Sequence, residues 1–382
     1  MNNPTSIMLA AGGTGGHLFP AFALAEELQR RGIAVDLMID MRGDRYGSGF
    51  PARAVYQVPA ATLASRSPID AAKTALALAR GTKAAHAILG HVKPGAVIGF
   101  GGYPTFPPLV AAKLRGIATA VHEQNAVLGR ANRLLAKRVT AIATSFERTK
   151  FLESDLAAKV SFTGNPVRQS VIAASARSYQ PSEDGAPFNL LVFGGSQGAR
   201  FFSDTMPAAL AALPVVRRSQ LKVTQQVREE DMARVQAAYA ASGIAADVAP
   251  FFQDLPARMA AAHLVIGRAG ASTVAELTVI GRPSLLVPLP HALDNDQLNN
   301  ARRLEESGGG WCVEQKDLTT DRMTAEVQRL IAAPGALAAA AEAAKRAGRA
   351  DAVVRLADFV LALVPHRDAG AGADVRRSAT RA

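Results

Sequence analysis

Short apolar runs alternate along this chain with longer stretches whose apolar residues recur every three or four positions. SIMLA (6–10) reads as a strand and GGTGG (12–16) as a loop. Pro20 fits the first turn of a helix with a buried face of Ala21, Leu24, Ala25 and Leu28, which Gly32 ends. IAVDLMI (33–39), AVIGF (96–100), IATAVH (117–122) and TAIATS (140–145) are further strands. Most are apolar throughout, as parallel strands covered on both faces must be.

The second half starts again. NLLVFGG (189–195) is a strand, SQGAR a loop and 200–212 a helix, followed by strands in LKVTQQ, DVAPFF, LVIGRA and SLLVPLP. GGTGGH (12–17) and GGSQGA (194–199) thus open the two halves in the same way. The pattern predicts an α/β protein of two Rossmann-like, doubly wound domains. Such sheets bind ligands beyond the carboxyl ends of their strands, so two of them facing each other would form a cleft with both glycine loops opening into it. The expected domains are 1–164 and 165–345, with a helix over 346–365 packing back on the first domain and a disordered tail at 366–382.

Composition narrows the setting. The single cysteine, Cys312, excludes an intrachain disulfide and fits a reducing compartment. No apolar run approaches the roughly 20 residues of a membrane-spanning helix, and the first residues lack a secretory signal, so a cytoplasmic protein is expected. Of the net charge of +11, +9 lies in residues 1–164, which should therefore meet something anionic. Aromatics at 5% disfavour single-strand nucleic-acid binding by stacking, and no RNA-binding motif is present.

The glycine loops carry the candidate chemistry. The loop at 12–16 is not a Walker A loop, since no Gly-Lys-Ser/Thr closes it, and Leu18 stands where a dinucleotide fingerprint needs its third glycine. Asp40, at the end of the second strand, keeps a nicotinamide enzyme as a rival reading. Bare backbone followed by a helix N-terminus suits an oxygen-rich anion. In RAGASTVAEL (268–277), Glu276 falls one turn into a helix and could chelate a ribose; it could equally close a capping box with Thr273. There is no His/Cys cluster and no D-x-D, so no metal is expected and a diphosphate would be met by backbone dipoles and hydroxyls.

AGGTGGHLFPA, GFGGYPTFPP (99–108), HEQNAVLGRANR (122–133), TGNPVR (163–168), GGSQGAR (194–200), RAGASTVAEL and DNDQLNNA (294–301) occur in one order. From about residue 5 to about 363 the chain resembles the N-acetylglucosaminyltransferases of peptidoglycan synthesis that act on undecaprenyl-pyrophosphoryl-N-acetylmuramoyl-pentapeptide. The resemblance implies the GT-B fold, the two domains facing across a cleft. It implies transfer of N-acetylglucosamine from UDP-N-acetylglucosamine to the muramoyl 4-hydroxyl, with inversion and without metal or cofactor. Thr14, Gly15, Gly16 and Asn125 would face the donor from the first domain. Arg168, Ser196, Phe252, Ala271, Ser272, Thr273, Val274, Ala275, Glu276 and Gln297 would complete that site. Phe252 stands where the family often has an aliphatic residue, and Asp296 where it more often has His or Gln. Gly101, Gly102 and Tyr103 would approach the acceptor's pyrophosphate.

Inverting transfer needs a base, for which His17 is the first candidate, Glu123 the alternative and His122 a third. An imidazole titrates near pH 6.5 and can take a proton at cellular pH. Arg66, Lys73 and Arg80 recur every seven residues, with Ile69 and Leu76 beside them. On a helix they form a basic, partly apolar stripe suited to an anionic membrane surface or simply to solvent. The resemblance implies a peripheral protein on the cytoplasmic face of the inner membrane. Partners in a cell-wall synthesis complex fit the resemblance but have no signature in the residues. Two rivals remain: a GT-B transferase with another acceptor, and a non-enzymatic nucleotide-sugar-binding or RNA-binding protein.

Overall fold

The computed structural model describes residues 6–12, 15–40, 49–60, 67–183 and 185–364. Thr14, Arg66 and the tail 366–382 lie outside the described residues, as do the side chains of Ile69 and Ser196.

The first domain is built on strands β1 (Ile7–Ala11), β2 (Val35–Ile39), β3 (Ala54–Gln57), β4 (Ala96–Gly99), β5 (Ala118–Glu123), β6 (Ala141–Thr144) and β7 (Val160–Phe162). They form one sheet in the order β3-β2-β1-β4-β5-β6-β7, and every pairing is parallel. The second domain holds β8 (Phe188–Phe193), β9 (Leu221–Gln226), β10 (Ala245–Ala249), β11 (Leu264–Gly267), β12 (Ser284–Leu286) and β13 (Gly310–Cys312). Their order is β10-β9-β8-β11-β12-β13, again all parallel. In each sheet the order reverses once, between β1 and β4 and between β8 and β11. These reversals open crevices at the carboxyl ends of the strands, where the glycine loops lie.

The apolar pattern explains the layers. β1 is buried at every position, and the helix Gly15–Arg30 covers it with Leu18, Ala21, Leu24, Ala25 and Leu28. Leu356, Ala357 and Val360, from the helix Ala352–Ala362, join the same core beneath the first sheet. The chain thus crosses back from the second domain to the first before the described residues end.

Two expected helix starts are corrected. The first helix begins at Gly15 instead of near Pro20, which lies inside it, and the second glycine segment enters its helix at Gly195 instead of at 200. First-turn N–H groups need no acceptor four residues back, so glycine-rich segments can form that turn and leave their N–H groups for a ligand. The expected strand over 247–252 ends earlier, at Ala249, because Pro250 has no N–H to continue the ladder. The edge strands β3 and β7 and the short β13 carry no strong apolar pattern and are additions to the sequence reading.

Candidate active site

The loop after β1 meets the loop after β4. Gly101 and Gly102 have φ of 88° and 74°, a left-handed backbone that favours glycine. A Cβ on Gly101 would stand 3.2 Å from His17 Cε1, and one on Gly102 would stand 3.6 Å from His17 Cδ2. The bare side of both glycines is therefore occupied by the His17 ring. A Cβ on Gly12 would stand 3.4 Å from Pro104 Cγ, whereas one on Gly16 would meet nothing within 4 Å. Of the two glycines, Gly16, in the first turn of the helix Gly15–Arg30, has room beside it for a ligand.

A cavity of about 140 Å³ lies beside His17, with Gly101, Gly102, Tyr103, Glu123 and Asn125 on one wall and Asp294 and Asp296 of the second domain on the other. The HEQN residues follow β5 into it. Glu123 is buried, and both its oxygens accept hydrogen bonds, from the loop that follows it and from Asn132 on the helix Arg130–Ala136. Asn125 N lies at 3.0 Å, Gly129 N at 2.8 Å and Asn132 Nδ2 at 2.8 Å. Burial pushes its carboxyl upward from the ordinary range. His122 is fully buried and its Nε2 donates to Gly164 O, at 3.1 Å. Burial pushes its pKa down to about 4.

Asn125 does not stand alone in the cleft. Its Oδ1 accepts from Asn300 Nδ2 at 3.0 Å, and Asn300 also donates to Ala269 O at 3.1 Å and accepts from Ala126 N at 2.8 Å. One fully buried side chain therefore joins the HEQN loop of the first domain to the end of β11 in the second.

In the second domain, Gly270 is the N-cap of the helix Ala271–Ile280 and supplies no side chain. Glu276 lies inside that helix, so the capping box with Thr273 is not formed. Glu276 is instead paired with Arg168 Nη2 at 3.0 Å. Burial raises its pKa and the guanidinium opposes that shift. The Ser272 hydroxyl is buried with no partner among the described residues, within the first turn, beside the unpaired N–H groups of the helix start. Ala271, Thr273, Val274 and Ala275 share that first turn and a half. Gln297 Oε1 accepts from Ala269 N at 3.3 Å and Leu289 N at 3.0 Å, which leaves its NH₂ end for a ligand. Phe252 is turned inward beneath the Arg258 guanidinium, 4.3 Å from the ring centre, while Phe251 is 70% exposed.

A glycosyltransferase family 28 N-terminal domain matches residues 7–144, and a glycosyltransferase family 28 C-terminal domain matches 189–356. A protein of Allorhizobium ampelinum is 52% identical over 93% of this chain and 94% of its own length. One of Mesorhizobium japonicum is 53% identical over 94% of this chain and 96% of its own length. The chain belongs to glycosyltransferase family 28. Both relatives are named UDP-N-acetylglucosamine--N-acetylmuramyl-(pentapeptide) pyrophosphoryl-undecaprenol N-acetylglucosamine transferase. The crystal structure of MurG from Acinetobacter baumannii superposes with a TM-score of 0.78 at 28% identity, covering 94% of this chain and all of that one. The two Rossmann-like domains of this family 28 chain form the GT-B fold.

Three polar residues of the site were not singled out by the sequence reading. Gln124 and Asn132 lie inside the HEQNAVLGRANR motif but have no chemistry of their own to draw attention. Asn300 follows Gln297 by three positions, which puts both on one helix face, and that spacing was the available signal. Of the membrane-facing candidates, Lys73, Leu76 and Arg80 are exposed on the helix Pro68–Val92.

Proposed function

We propose that this family 28 enzyme moves N-acetylglucosamine from UDP-N-acetylglucosamine to the 4-hydroxyl of undecaprenyl-pyrophosphoryl-N-acetylmuramoyl-pentapeptide, inverting the linkage and forming lipid II. The observation that carries the mechanism is the position of His17. It sits where the two glycine loops of the first domain meet, on a cavity whose far wall belongs to the second domain.

In this reading His17 Nε2 takes the proton of the acceptor hydroxyl as that oxygen attacks the anomeric carbon. The bond from that carbon to the diphosphate breaks, and UDP leaves with the electron pair. The N-termini of the helices Gly195–Ala211 and Ala271–Ile280 offer N–H groups to the diphosphate, and Ser272 adds a hydroxyl. Arg168 stands by the nucleotide, and the Glu276 carboxylate that it pairs receives the ribose. The NH₂ end of Gln297 meets the donor sugar. Glu123 holds the loop that shapes the acceptor wall.

The acceptor carries a lipid, so the first domain would work at a membrane surface on its cytoplasmic face. No helix of the described residues is long and apolar enough to cross a membrane. Lys73 and Arg80, exposed on the helix Pro68–Val92, with Arg66 preceding them in the sequence, are the basic residues proposed for peripheral docking. The deciding assay is UDP release from UDP-N-acetylglucosamine. Release that requires the lipid-linked muramoyl acceptor supports the reading; release with a glycolipid or aglycone acceptor instead would replace it.

A further inference from the structure

The hydrogen bonds behind His17 form a chain with a direction. Gln124 Nε2 lies 2.9 Å from the carbonyl oxygen of His122, which can only accept, so that end of the amide is the nitrogen. The same Nε2 lies 3.0 Å from His122 Nδ1, which therefore accepts as well. The His122 proton must then sit on Nε2, where it is donated to Gly164 O, with Ser145 Oγ also near at 3.4 Å. With its nitrogen committed to His122, Gln124 turns Oε1 toward His17 Nδ1 at 3.0 Å. An amide oxygen only accepts, so His17 Nδ1 carries the proton and Nε2 holds the lone pair.

We infer that Gln124 is a positioning residue that selects the tautomer of His17 competent to act as a base. The inference rests on the reading of His17 as base but adds what keeps it in that form. Gln124 is 1% exposed and His122 fully buried, so water cannot compete for either partner. The low pKa of His122 keeps its ring neutral near pH 7, and the chain keeps its direction there. Were His122 protonated on both nitrogens, Nδ1 would donate, the amide would be driven to flip, and His17 would face a donor. The carboxylate next in sequence, Glu123, is engaged by its own loop and by Asn132, so the ring is oriented by a neutral amide. Among the described residues, the titratable and charged groups that act on His17 or line its cavity are Tyr103, His122, Glu123 and Arg130 from the first domain and Asp294 and Asp296 from the second.

The test uses the full chain labelled with ¹⁵N at histidine. In the unmodified protein near pH 7.5, His17 should show a protonated Nδ1 and an unprotonated Nε2. The opposite assignment overturns the inference without any variant. In Gln124→Leu the proton should shift toward Nε2 and kcat should fall on the order of 10²-fold, with KM for UDP-N-acetylglucosamine within about twofold. Gln124→Glu restores an acceptor to Nδ1 and should recover part of that kcat, with the acid limb of kcat/KM moved to higher pH. Unchanged tautomer and kcat in Gln124→Leu, with His17→Ala inactive, would remove the role of Gln124 and leave His17 as base. An active His17→Ala would instead remove the base reading itself.

Discussion

Burial holds the His122 imidazole at a pKa of about 4, whereas in an unfolded chain the group titrates near 6.5. Between those values the unfolded state binds the proton and the native state does not. The contribution of this residue is therefore complete above about pH 6.5 and is lost as pH falls toward 4, an effect on the order of 3 kcal/mol. Chemical denaturation near pH 4.5 and near pH 7.5 should show that loss, and His122→Asn should reduce it. The difference between variant and parent isolates His122 from Glu123 and Glu276, whose raised values act in the opposite direction. His17 lies on the cavity instead of in the core, and its removal should act on rate. His17→Ala should lower kcat by about 10²–10⁴-fold while UDP affinity, measured by calorimetry, stays near that of the parent.

The elements around the site owe their positions to buried polar residues. Asn300 satisfies the Ala126 N–H, the Ala269 carbonyl and the Asn125 amide oxygen at once. Asn300→Leu would leave the Ala126 N–H and the Ala269 carbonyl without this partner in a closed interior and release the Asn125 amide on the cavity wall. A loss of about 2 kcal/mol is expected, read as a lower Tm, together with a higher KM for the donor as the end of β11 shifts. The helix starts teach a related point. Gly15 and Gly195 read as loop because glycine is a poor helix former, yet each opens a helix. Propensity describes helix interiors, and a first turn is formed without intrahelical acceptors for its own N–H groups. Glu276 shows the same limit: its spacing from Thr273 allowed a capping box, but the cap fell at Gly270 and the carboxylate went to Arg168.

At the scale of the whole molecule, the two domains are joined by side chains and by the returning helix Ala352–Ala362. Arg130 and Arg133 of the first domain pair with Asp294 of the second, across the cavity beside His17. The charge excess of the first domain bears on where the molecule works. Replacing Arg66, Lys73 and Arg80 by glutamine should weaken binding to anionic vesicles on the order of 10²-fold at low salt, at about 1 kcal/mol per charge. Sedimentation with vesicles would measure it, and binding equal to the parent would place the contact elsewhere. The doubly wound halves were legible in the chain because parallel strands need continuous apolar runs and the glycine segments recur between the two halves. The family was legible because seven motifs keep one order. The partnerships of the site were not legible. His17 meets Gln124 across 107 positions, Arg168 meets Glu276 across 108, and Asn125 meets Asn300 across 175. Local periodicity decides whether a segment is strand or helix and which face is buried. Which end of an amide faces a histidine, and which carboxylate receives a guanidinium, depends on backbone brought in from the far side of the fold, and only the tertiary structure decides that.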